Sequence, residues 1–193
     1  MAPQTAHTDT ETHWYALWIY RNLVSPIITL CEVNGIQCYR PMRLVERVTA
    51  AGIDYEEEAA LPNLLFVKTS EAFVKELKKI TRNRGTAYCY PGTNTPEPID
   101  DRAMEIFMLV VSVGARHMEA VDLPIDKGDK VRVIGGIFKG AEGYIRRVHG
   151  SKRFVVAIEG IAAIAVTHIP KQFLERIEPS VTITPETARA HIA

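Results

Sequence analysis

Val131-Arg132-Val133-Ile134, Gly135-Gly136-Ile137-Phe138-Lys139-Gly140, Glu142-Gly143-Tyr144-Ile145-Arg146-Arg147-Val148 and Phe154-Val155-Val156-Ala157-Ile158 succeed one another within Lys127–Ile158. Short β-rich runs broken by turn residues at spacings of about eight to ten predict a small barrel of strands, not a helix. Glycines 135, 136, 140 and 143 suit sharp corners and close backbone approach, and His149-Gly150-Ser151-Lys152 reads as a turn. The charge is lopsided. Between positions 127 and 153 eight Lys/Arg (127, 130, 132, 139, 146, 147, 152, 153) stand against Asp129 and Glu142.

That local excess is hidden in the totals. The 193 residues carry 23 Lys/Arg and 23 Asp/Glu, a formal net charge of zero, so local patches must carry any nucleic-acid contact. An apolar fraction of 47% builds real cores, in one medium domain or two small ones. Cysteines 31, 38 and 89 form no C-x-x-C pair and leave one over, which argues against a disulfide framework and for small buried hydrophobes. No stretch is long enough for a membrane span. The polar Met1–Thr12 lacks the regions of a secretory signal, and a reducing cytoplasm is the expected compartment.

Upstream of the barrel the pattern is mixed. Residues 1–12 are polar and expected to be disordered. His13 to Tyr20 reads as an aromatic strand whose even positions put Trp14, Trp18 and Tyr20 on one face. Ser25-Pro26 predicts a helix start and Asn34-Gly35 its stop. Ile36 to Val48 reads as a strand broken by Pro41, Ile53 to Glu58 as a short acidic strand or arm. Leu61-Pro62-Asn63-Leu64-Leu65-Phe66-Val67 is a corner entering a buried strand. Glu71 to Arg82 predicts a helix with Phe73, Leu77 and Ile80 as its core stripe and Lys75, Lys78, Lys79 and Arg82 as a basic face. Ala87 to Tyr90 is a further strand, and Asp100 caps a last helix, 101–113, apolar almost all round and so expected to pack on two sides. The order β-α-β-β-β-α-β-α predicts an α+β fold: an antiparallel sheet with helices at 13–113, a linker at 114–126, a barrel at 127–178 and a loose tail at 179–193.

The spacing of Lys127–Ile158 resembles the KOW motif, an SH3-like barrel, which alone indicates a barrel that touches nucleic acid or a nucleic-acid machine. The aromatic strand at Trp14-Tyr15, the helix, the Pro41-containing strand, the Leu61–Val67 corner, Arg84-Gly85 and Pro98-Ile99-Asp100 resemble the N-terminal domain of NusG. The two halves in this order cover about Trp14 to Ile177. The chain is identified as resembling the NusG family of transcription elongation and antitermination factors. Two features resemble its specialised members. The corner Leu61-Pro62-Asn63-Leu64 stands where the general factor carries Phe-Pro-Gly-Tyr and is closer to RfaH-like proteins. Ile158-Glu159-Gly160-Ile161 leading to Ile169-Pro170-Lys171-Gln172-Phe173-Leu174 looks like the UpxY group, which acts on capsular polysaccharide operons. The missing tyrosine at 64 puts in doubt a polymerase contact made by that ring.

The resemblance implies a partner surface for the clamp helices of RNA polymerase at Trp14, Trp18, Leu61, Leu64 and Phe66. By strand parity alone these residues are either that face or core. It places Arg21, Lys75, Lys78, Lys79, Arg82 and Arg84 where such proteins meet the non-template DNA strand or nascent RNA; a solvated helix face is the alternative. In the barrel, Ile161 and Ile164 are candidates for a partner such as ribosomal protein S10 or Rho, or else barrel core. No cofactor, metal site or membrane contact is expected. His13, His117, His149 and His168 lack ligand spacing, and there is no P-loop, Rossmann or nucleophile-elbow motif. The expected function is antitermination on one operon by a non-enzymatic factor. The alternatives are a general elongation factor and a ribosome- or RNA-binding KOW protein. The β-branched barrel strands argue against the helical C-terminal domain known for RfaH.

Overall fold

The computed structural model describes residues 11–81, 85–89, 91–115, 119–120, 129–158, 160–165 and 169–177. In chain order these form β1 (His13–Ile19), α1 (Val24–Val33), β2 (Gln37–Tyr39), β3 (Met42–Thr49), β4 (Gly52–Ala59), β5 (Leu64–Thr69), α2 (Glu71–Ile80), β6 (Gly85–Ala87) and α3 (Asp101–Gly114). Six further strands follow: β7 (Glu119–Ala120), β8 (Asp129–Val133), β9 (Glu142–Val148), β10 (Ser151–Ile158), β11 (Ala162–Ala165) and β12 (Leu174–Arg176). The expected class holds: a sheet with helices, then a separate sheet-rich C-terminal region. The chain groups into two units, residues 1–40 with 62–101, and 41–61 with 102–193. Most of the expected linker, the N-terminus to residue 10 and the tail lie outside the described residues.

The first unit is built on an antiparallel sheet ordered β2-β5-β1-β6. The register pairs Trp14 with Lys68, Ala16 with Phe66 and Trp18 with Leu64, so the even positions of β1 and of β5 share a face, as parity requires. The odd positions Tyr15, Leu17, Ile19, Leu65 and Val67 form a core with Val24, Ile27 and Cys31 of α1 and Val74 and Leu77 of α2. Both helices therefore cover the odd face. The β-branched α1 draws its stability from this packing more than from intrinsic propensity.

Several boundaries differ from the sequence reading. Helix α1 follows a 3-10 turn at Arg21–Leu23, with Leu23 in the cap position and Ser25-Pro26 inside the first turn. Proline is accepted there because the N–H groups of a first turn have no helical acceptor. The helix stops as expected, with the Asn34 side chain donating to the Leu30 carbonyl at 2.7 Å and Gly35 at φ 67°. Ser70 caps α2, its hydroxyl accepting from Phe73 N–H at 3.4 Å. The buried stripe of α2 is Val74-Leu77, continued by Thr81, and not one ending on Ile80, which is 52% exposed. Thr81 fits the buried position because its hydroxyl donates to the Leu77 carbonyl at 2.8 Å. Strand β6 starts at Gly85, two residues before the expected Ala87, and Cys89 forms only an isolated bridge to Pro96.

Pro41 does more than break a strand. It separates β2, which pairs with β5, from β3, which pairs with β4. The acidic arm is one half of the β3–β4 hairpin in the second unit. Arg43 binds Glu58, and Arg47 binds Glu56 at 3.0 Å, across the ladder. Helix α3 buries one stripe, Met104, Phe107, Val110, Val111 and Gly114, and exposes Leu109 and Val113. It is not covered on two opposite sides, contrary to the expectation drawn from its composition. The C-terminal strands follow the order β12-β8-β9-β10-β11-β7, with β7 adding a pair to β11 inside the expected linker. Phe154, Val156, Ile158 and Ile164 are interior, and on the other side of β10 Val155 packs with Ala163, Ala165, Tyr144 and Val148. His149 (φ 46°) and Gly150 (φ 82°) close the β9–β10 hairpin, the type I′ geometry that matches strand twist. Among the described residues, 129–177 holds strands and one 3-10 turn at Lys171–Phe173, which agrees with the expected absence of a helical C-terminal domain.

Candidate functional site

The C-terminal end of β1 gathers the accessible part of the even face. Trp18 lies between Leu64 and Thr86 in the ladders on either side. It is half-buried and meets Tyr20 edge-to-face, ring centroids 4.9 Å apart at 75°. Tyr20 is 51% exposed, and Arg21 beyond it is exposed. Tyr20 was absent from the partner set inferred by resemblance, although its even position in β1's alternation was the available signal. The rest of the even face is interior: Trp14 is 3%, Leu64 5% and Phe66 0% exposed. Tyr39 packs beside Phe66 at 6.2 Å, and burial pushes its phenol up to about 12. Leu61 is half-buried and falls in the other unit. Of the five residues placed on the partner face, only Trp18 and Leu61 are accessible.

The basic face of α2 is only partly free. Lys75 is bound by Glu71 one turn before it, at 2.5 Å, so an acid does interleave with the face. Lys78 and Lys79 are exposed and have no ion-pair partner among the described residues. Lys78 lines a shallow groove with Ile19, Thr81 and Thr86, which ties it to the end of β1 that leads into Arg21. Arg82 and Arg84 lie outside the described residues. Exposed lysines without ion pairs can neutralise phosphates, with affinity that falls as salt rises.

In the C-terminal sheet, Ile164 is fully buried, opposite Val156 in the β10–β11 ladder, an interior position. Ile161 sits half-buried in the turn between those strands. Cys31 and Cys38 share a thiol–thiol hydrogen bond that holds the Cys31 sulfur down and pushes Cys38 up. Among the described residues no group of His, Cys, Asp and Glu has the arrangement of a metal site, and no helix is long and apolar enough to cross a membrane.

The family model described as "Transcription termination factor nusG" matches residues 12–108, just over half of the chain. The chain belongs to the NusG family of transcription factors. Members of this family generally bind RNA polymerase and are not enzymes. A solved structure described as "Domain interaction in Thermotoga maritima NusG" shares 20% identity with it, over 86% of this chain and 98% of that one, with a TM-score of 0.43. No curated protein sequence matches the chain.

Proposed function

We propose that this chain is a specialised NusG-family elongation factor that binds the clamp helices of RNA polymerase and promotes read-through of terminators on a capsular or surface polysaccharide operon. The observation that carries the polymerase reading is the Trp18–Tyr20 pair, partly exposed on the sheet face opposite α1 and α2. Exposed aromatic pairs of this kind anchor protein interfaces. Trp14, Leu64 and Phe66 lie behind it as packed support, and Leu61 is a separate accessible position. The operon-specific part rests on the Leu61-Pro62-Asn63-Leu64 corner and the Ile169–Leu174 run.

Such a factor works by binding one state of the elongation complex better than another, and not by chemistry. Lys78, Lys79 and Arg21 would hold an exposed strand while the aromatic pair holds the enzyme, and two linked contacts add avidity. Reversing both lysines (Lys78→Glu with Lys79→Glu) is expected to weaken binding to a paused complex by about tenfold or more and to flatten its salt dependence. Equal affinity across a salt titration would remove these lysines from the nucleic-acid contact.

The proposed activity is tested by single-round transcription with purified polymerase over a template carrying a terminator. Added protein is expected to raise the read-through fraction. Unchanged read-through contradicts the proposal, and increased termination would favour a general termination-linked factor.

A further inference from the structure

Within the second unit a cleft of about 240 Å³ opens beside β8, β9, the start of β10 and the segment leading into β12. Its floor is aliphatic, with Ile145 and Leu174 half-buried at the opening and Ile169 beneath. Its rim carries Lys152, Arg153, Lys171 and Arg176. Among the described residues the one acid that lines it, Asp129, is already bound to Arg176 at 2.8 Å. Lys152 and Lys171 are exposed and have no ion-pair partner among the described residues. The cleft shares no residue with Ile161 and Ile164.

An apolar floor ringed by unpaired ammonium groups complements a ligand that is apolar at its centre and anionic at its edges. Two observations favour protein over nucleic acid. Single strands are held by aromatic faces on which bases stack, and among the described residues the one aromatic side chain lining the cleft, Phe154, is 0% exposed. The size also fits a side chain: a dry cavity of about 150 Å³ accepts benzene, so this one takes a single large apolar group. We propose that this cleft binds an acidic protein segment, seating one apolar side chain against Ile145 and Leu174 and its flanking carboxylates on Lys152 and Lys171. The inference uses only residues of the second unit and stands apart from the polymerase reading.

The test uses the full chain and fluorescence anisotropy. The probe is a short labelled peptide of aspartates and glutamates around one central phenylalanine. Controls are the same peptide with central glycine, and single-stranded DNA and RNA of equal charge. The phenylalanine peptide is expected to bind. The glycine peptide, and the double variant Lys152→Glu with Lys171→Glu, are each expected to lower affinity by about tenfold or more. Both lysines are solvent-facing, so the variant keeps its fold, and the glycine control needs no variant at all. Absence of peptide binding, equal binding of the glycine peptide, or affinity unchanged in the variant would overturn the proposal. So would tighter binding of either oligonucleotide through the same two lysines.

Discussion

Replacing Phe154 by alanine is expected to destabilise the C-terminal sheet by about 3–5 kcal/mol, the range for deleting a buried aromatic side chain. The side chain is 0% exposed and its strand lies between β9 and β11 in the sheet. Its neighbours cannot close over the cavity easily. Gly143 already packs so tightly that an added Cβ there would lie 2.5 Å from the Val155 carbonyl and 2.7 Å from the Phe154 ring. That glycine is required by the ring beside it. Against a total stability of about 5–15 kcal/mol for a domain, the loss is a large share. In urea the midpoint of the far-ultraviolet circular dichroism transition should fall by about 1–5 M, given slopes of about 1–3 kcal/mol per molar. Both tryptophans lie in β1, so tryptophan fluorescence separately reports the first unit. A loss below about 1 kcal/mol would mean that Phe154 is not the centre of this core.

The second large effect concerns Trp18. Trp18→Glu is expected to weaken binding to RNA polymerase by about thirtyfold or more, the equivalent of a hot-spot loss of about 2 kcal/mol, with the circular dichroism spectrum preserved. The contrast with Phe66 gives the experiment its meaning. Phe66→Glu would force a carboxylate into a fully buried site, a cost that unfolds the sheet or shifts it strongly. Resemblance alone put both side chains in one contact surface. Burial separates them: Trp18 is reachable and Phe66 is not. If Trp18→Glu unfolds the first unit, the residue is structural and the polymerase contact lies elsewhere. If it folds and binds as before, the aromatic pair has no part in the contact.

Much of the architecture was legible because it rests on local rules. Alternation in His13–Tyr20 set the faces of β1, Asn34-Gly35 stopped α1, and the β-branched runs of 131–158 produced strands. The failures occur where local rules are degenerate. The 3.6-residue period of α2 admits stripes through Ile80 or through Thr81, and the Thr81 hydroxyl bond to Leu77 decided between them. Proline fits a helix at its first or third position, so Ser25-Pro26 could not mark the boundary to the residue. Pairing across β3 and β4, which binds the acidic arm to Arg43 and Arg47, needs a partner strand that no single segment reveals. The candidate site was less legible than the fold. Parity grouped Trp14, Trp18, Leu64 and Phe66 correctly on one face, but accessibility depends on the whole packing and left Trp18, with Tyr20, at the rim. In the same way Ile164, an apolar residue in an apolar strand, could be edge or core by composition, and its register with Val156 puts it inside.

The central claim, a polymerase-borne factor devoted to few targets, is tested most directly by mapping the protein's occupancy across the genome with and without an inhibitor of transcription. The account predicts occupancy that depends on active polymerase and is concentrated on one or a few operons, extending from the recruitment point through the transcribed region. Occupancy over every transcribed gene would contradict the specialised role, and signal that is absent or unaffected by the inhibitor would contradict the polymerase contact itself.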